Sequence, residues 1–174
     1  EHMRKAVRGC GMFILCNPHN PGGRVWNPEE LEQVAEICAE SGTLVISDEI
    51  HADLTLPGRR HTVFAIVSEK ARNNSVTYMA ASKAFNVPGL ASSYLICQNP
   101  ALLEKYQNFV NGREMAEGHV FAYAGLISAY TEPGGEEWLR QALDYIQENI
   151  CYLDAELRRR MPRIKALLPD ASYL

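Results

Sequence analysis

Short apolar runs closed by turn chemistry occupy the first hundred positions, and longer helical periodicities occupy the rest. Met12 to Cys16 is an apolar run followed by Asn17-Pro18, which predicts a buried strand ending at a turn. Asn27 then offers an N-cap, Pro28 suits the first helical position, and Glu30 sits where a capping box needs it. Leu31, Val34, Ala35 and Cys38 fall at helical spacing, and Ser41-Gly42 stops that helix. Residues 43–47 form a second β-rich run ending in Asp48-Glu49. Residues 52–61 carry Pro57, Gly58 and two arginines and read as loop, while 62–72 predicts a short helix. Residues 75–79 and 93–97 are the third and fourth strand candidates. Beyond Pro100 the periodicity is helical over 100–111 and 119–131. One long amphipathic helix runs from Glu136 to about Arg160 on the stripe Leu139, Leu143, Ile146, Ile150, Leu153 and Leu157. Pro133-Gly134-Gly135 separates it from the helix before, and Pro162 ends it.

Strand, helix, strand, helix, strand in the first half predicts an α/β fold with a mostly parallel sheet. Ligands in such folds bind beyond the carboxyl ends of the strands. The 174 residues suffice for one domain, and 47% apolar with 22% charged residues is ordinary for a globular protein. No apolar run reaches the roughly 18 residues of a spanning helix. A net charge of −4 and a pI near 5.8 carry no electrostatic footprint for nucleic acid or an anionic membrane. Five cysteines, odd in number and without a CxxC pair, argue against a metal or disulfide framework and for buried thiols in a reducing cytosol. Glu1-His2-Met3-Arg4-Lys5 leads into no secretory h-region. Met at position 3 and an end on Ser172-Tyr173-Leu174, the opening of a strand, read as a piece of something longer.

Three polar clusters lie just after the apolar runs. Asn17-Pro18-His19-Asn20-Pro21-Gly22-Gly23 imposes a stiff turn, with Asn20-Pro21 expected cis; it is either a turn only or a mount for an amide at a ligand. Asp48-Glu49-Ile50-His51 ends a buried strand with an acid, which is costly unless the acid is paired or caps backbone N–H groups. A DExH-type ATPase would also place an acid there, but its GxxxxGK[ST] loop is absent from the sequence. In Ala80-Ala81-Ser82-Lys83-Ala84-Phe85-Asn86 a lysine stands among small and apolar residues, either as a surface lysine or as an amine desolvated for Schiff-base chemistry.

Taken in order, the three clusters resemble the pyridoxal-phosphate enzymes of fold type I, the class I/II aminotransferase superfamily. The wording "Cys-Asn-Pro-His-Asn-Pro-x-Gly-Arg-Val-Trp", "Ser-Asp-Glu-Ile-His-Ala-Asp" and "Ser-Lys-Ala-Phe-Asn-Val-Pro-Gly-Leu" is most similar to the cystathionine β-lyase branch. The resemblance implies pyridoxal 5'-phosphate as cofactor and Lys83 as its covalent attachment and the base at the substrate Cα. It implies Asp48 at the pyridine nitrogen, Asn20 and His51 near the phenolic oxygen, and Ser82 at the phosphate. It also implies an amino-acid substrate, a cytoplasmic homodimer as the full-length protein, and three parts here: 1–135 of a large cofactor domain, an interdomain helix over 136–163, and the start of a small domain over 164–174.

Two positions depart from the family pattern: Ala80 stands where many members carry Ser or Thr, and Ala91 where many carry a phosphate-binding Arg. The implied activity is β-elimination of cystathionine or another cysteine S-conjugate to thiol, pyruvate and ammonia. Amino transfer to a 2-oxo acid, or an inactive truncated remnant, are the alternatives. The other conspicuous residues read as structural: Arg158-Arg159-Arg160 as a solvated helix end, Arg59-Arg60 as solvated loop, His61 and His119 as lone surface or packing residues, and Trp26 and Trp138 as core or interface anchors.

Overall fold

A computed structural model describes residues 1–115 and 118–174. Its sheet contains strands β1 (Met12–Cys16), β2 (Leu44–Asp48), β3 (Ser75–Met79) and β4 (Tyr94–Ile96), in that spatial order. The β1–β2 and β2–β3 pairs are parallel, and β4 closes the far edge antiparallel to β3. Cys16 pairs with Asp48 and Asp48 with Tyr78, so the carboxyl ends of three strands lie side by side.

Helix α1 (His2–Ala6) precedes the sheet, and α2 (Pro28–Glu40) connects β1 to β2. The Asn27 side chain accepts from the Glu30 N–H at 2.9 Å, and the Glu30 carboxylate accepts from the Asn27 N–H at 3.2 Å. This capping box satisfies two donors that the first turn leaves without intrahelical partners. The predicted stripe of Leu31, Val34, Ala35 and Cys38 is buried in full, against Val7, Leu15, Val45, Phe64 and Ala71.

The helix expected over 62–72 is two pieces. Phe64–Ile66 forms a 3₁₀ turn, and α3 (Glu69–Asn73) starts afresh because the Ser68 side chain accepts from the Ala71 N–H. Beyond β3 come α4 (Ala81–Ala84), α5 (Pro100–Asn111), α6 (Val120–Thr131) and α7 (Pro133–Arg160). Helix α7 begins three residues earlier than its apolar stripe suggests. Pro133 takes the first helical position, where a missing N–H costs nothing, and Gly135 is admitted because a Cβ there would run into the Ala129 carbonyl oxygen. Among the described residues no helix is long and apolar enough to cross a membrane. All five thiols are free, but only Cys38 is buried, because Cys10 and Cys151 sit on outward faces.

Candidate active site

Asp48 is the last residue of β2, and the other predicted site residues lie in loops or a short helix that leave the carboxyl edge of the sheet. After β1 the chain makes the expected stiff turn, with both Asn17–Pro18 and Asn20–Pro21 cis. Asn17 is the brace of this turn. It is fully buried; its amide donates to the Thr62 carbonyl at 3.1 Å, its side-chain oxygen accepts from the Trp26 N–H at 3.2 Å, and its backbone N–H donates to the Asp48 carbonyl at 3.0 Å. Asn20, by contrast, is exposed, and its N–H donates to the Cys16 sulfur at 3.4 Å. The turn thus hangs Asn20 beside the strand end whose neighbour in the ladder is Asp48.

Strand alternation sends Asp48 and Glu49 to opposite faces. Asp48 is half-buried, with one carboxylate oxygen accepting from the Ile50 N–H at 3.3 Å. Glu49 is buried on the core side. Its Oε1 accepts from Ser47 Oγ at 2.7 Å and from the Phe64 N–H at 2.9 Å, and its Oε2 meets His61 Nε2 at 2.7 Å. His61 is therefore neither lone nor at the surface: it is the partner that makes a buried glutamate tolerable.

His51 is 3% exposed. Its Nδ1 lies 3.2 Å from Ser172 Oγ, and its Nε2 is buried with no hydrogen-bond partner among the described residues. Burial pushes this imidazole below its ordinary value, the nearby Lys83 charge pushes the same way, and the Asp48 carboxylate opposes both. Asp48 and His51 come at the end of β2 and Lys83 follows β3, its parallel neighbour, so acid, imidazole and amine share one stretch of the carboxyl edge.

After β3, Ala80, Ala81 and Ala84 are buried while Ser82 and Lys83 remain half-exposed between them. Small side chains let this one-turn helix sit close against the sheet end. Phe85 fixes its far end, stacking on Trp138 at 5.8 Å and meeting the edge of Tyr130 at 5.5 Å. The Tyr130 hydroxyl donates to Asp53 at 2.6 Å; burial first, then this bond, holds the phenol protonated.

Residues 1–174 match the family described as aminotransferase class I and II. The chain belongs to that family. It is 40% identical over 163 residues to cystathionine beta-lyase PatB of Bacillus subtilis, an alignment covering 94% of this chain and 42% of that protein. Cystalysin from Treponema denticola, a structure containing pyridoxal 5'-phosphate, superposes with a TM-score of 0.89 at 32% identity, covering 99% of this chain and 44% of that one. The PLP-bound C-S lyase from Staphylococcus hominis superposes with a TM-score of 0.87 at 35% identity, covering 98% and 42%. The chain thus spans about two fifths of the length of these relatives.

Trp26 packs against the core and its indole N–H donates to the Cys16 carbonyl at 3.2 Å. His119 caps α6 by accepting from the Ala122 N–H at 3.2 Å. Arg59 and Arg60 are exposed in their loop as expected, and Arg59 also pairs with Asp170 at 3.1 Å. Asn17, Glu49 and Ser172 were invisible as site supports in the sequence. Only Glu49 left a signal there, since alternation along a buried strand turns one member of an Asp-Glu pair toward the core.

Proposed function

We propose that the full-length protein is a pyridoxal-phosphate-dependent carbon–sulfur β-lyase that converts cystathionine or another cysteine S-conjugate to a thiol, pyruvate and ammonia. The observation that carries this reading is the cluster of Asp48, His51 and Lys83 at adjacent strand ends, with the His51 Nε2 buried and unpartnered. A buried imidazole nitrogen without a partner is costly, and an oxygen-bearing ligand in the cluster would satisfy it. The donor set fits the cofactor: a carboxylate for a protonated pyridine nitrogen, Asn20 and His51 for the phenolic oxygen, Ser82 for the phosphate, and the Lys83 amine for the covalent link. When bound, pyridoxal phosphate supplies an electron sink for negative charge at the amino acid Cα.

The chain's own groups then divide the work. Asp48 keeps a proton at the pyridine nitrogen. His51 and Asn20 orient the ring oxygen. The free Lys83 amine would take the substrate Cα proton, so that the Cβ–S bond can break with sulfur leaving as the thiolate, which a proton then converts to the thiol. In this reading residues 1–135 belong to the large domain, 136–163 are the interdomain helix and 164–174 open the small domain. A homodimer agrees with the apolar surface on α6, where Phe121 is 72% and Ile127 60% exposed.

The lyase reading over amino transfer draws on the relatives above, two of which bear lyase names. The test is pyruvate release from cystathionine by the full-length protein and its Lys83→Ala variant. Wild-type turnover should fall by more than about 10³-fold in the variant, because covalent attachment and proton abstraction both go with the amine. Amino transfer to a 2-oxo acid without pyruvate would favour the aminotransferase instead.

A further inference from the structure

His51 stands in the loop after β2, but the group holding its ring comes from the opposite end of the chain. Residues 169–173 lie across two site loops as a strap. The Asp170 and Ala171 N–H groups donate to the Gly23 carbonyl at 2.7 and 3.0 Å. Gly23 has φ +63°, and a Cβ there would collide with Pro169, so the glycine admits the strap onto the Asn20 turn. The Leu56 N–H donates to the Asp170 carbonyl at 3.0 Å, and the Ser172 N–H to the Leu54 carbonyl at 2.9 Å. Asp170 also accepts from the Val25 N–H and pairs with Arg59.

Ser172 is where this strap meets the site. It is 2% exposed, and it holds φ +75°, a left-handed conformation that few residues other than glycine and asparagine adopt. Such backbone persists when the surroundings over-determine it, and it clusters at functional positions. Here it directs Oγ at His51 Nδ1, 3.2 Å away.

Either direction of that hydrogen bond leaves one buried donor open, the Ser172 hydroxyl or the His51 Nε2–H. The Ser172 hydroxyl has no other partner among the described residues. Were Nδ1–H the donor, the hydroxyl proton would be buried without an acceptor and Nε2 would be a bare acceptor without a donor. With the hydroxyl donating, Ser172 and Nδ1 satisfy each other, and the open donor is the Nε2–H of a neutral ring, available to a bound ligand.

We propose that Ser172 is a positioning residue: its hydroxyl donates to His51 Nδ1, locking the Nε2–H tautomer and presenting that N–H as a donor to an anionic oxygen of the bound ligand. The identity of that oxygen, the phenolic oxygen of pyridoxal phosphate, rests on the function proposed above; the Ser172–His51 arrangement does not.

The test is solid-state ¹⁵N NMR of the full-length protein, without cofactor and with labelled histidine, His51 being assigned by difference against His51→Gln. Wild type should show His51 protonated on Nε2 and bare on Nδ1. Ser172→Ala and Ser172→Gly should both lose this single tautomer. Glycine accepts the positive φ without strain, so it removes the hydroxyl while sparing the backbone. A His51 that carries its proton on Nδ1 in wild type overturns the proposal, as does a Ser172→Gly protein that retains the Nε2–H form. Titration with pyridoxal phosphate then reads the ligand side: loss of one well-aligned hydrogen bond should weaken binding in Ser172→Gly about two- to tenfold. An altered tautomer with unchanged affinity refutes Nε2–H as a ligand donor. Failure of wild type to bind the cofactor refutes the functional reading and leaves the tautomer result standing.

Discussion

Between β1 and α3 the chain buries Leu15, Leu31, Val34, Cys38, Val45 and Phe64 to 6% exposure or less, whereas α5 and α7 bury no residue at all. Those two helices leave Phe109, Tyr145, Tyr152 and Leu153 between 54% and 68% exposed. Both regions have apolar stripes of similar quality, so pattern alone does not separate them. What separates them is a partner surface. The stripe of α2 meets a sheet face within the same short stretch and is fully buried, while the stripe of α7 is covered only in part: Leu139, Leu143, Ile146, Ile150 and Leu157 are half-buried and Leu153 is exposed. The site at the strand ends therefore rests on a core that the chain builds for itself.

The largest expected effect comes from that core. Phe64→Ala in this chain should cost about 3–5 kcal/mol in urea unfolding, while Leu153→Ala should stay within about 0.5 kcal/mol. Equal costs would break the comparison.

A somewhat smaller loss is expected from Glu49→Gln. It removes the charge facing His61 and sets an amide where Ser47 and the Phe64 N–H both donate. Breaking a buried pair on one side costs about 3 kcal/mol or more, and the double variant with His61→Phe should recover part of it. A neutral Glu49→Gln would show that the pair does not brace the Asp48 loop.

The smallest effect is a pH dependence. The unfolded His51 ring titrates near 6.5, and burial holds the folded ring below that. As pH falls through this window the unfolded chain takes the proton first, so stability is present above about pH 6.5 and declines on acidification toward the folded value. His51→Gln should flatten that part of the stability–pH curve; an unchanged curve would mean the ring is not held neutral by its surroundings.

Much of the fold and of the site was legible because its signals are local. The apolar run from Met12 to Cys16, the Asn27-Pro28-Glu30 start and the Ser41-Gly42 stop each declare an element within a few residues, and polar residues just past a buried strand declare a site edge. What stayed hidden depends on distance along the chain. His61 appeared alone because its partner Glu49 is twelve residues away on a strand's inward face. Ser172 gave no signal because it meets His51 across 121 residues. The break in 62–72 was missed because Ser68 is a weak helix-interior residue and a good N-cap, and only the packing of Phe64 decides between the two.

The most direct measurement is a map of the attachment lysine. The full-length protein is incubated with pyridoxal phosphate, reduced with borohydride and digested, and the modified peptide is identified by mass. The expected result is a single modification on Lys83, at the strand end shared with Asp48 and His51. Modification of Lys70 or Lys105 in its place, or no stable modification at all, would contradict the assignment of this edge of the sheet as the cofactor site.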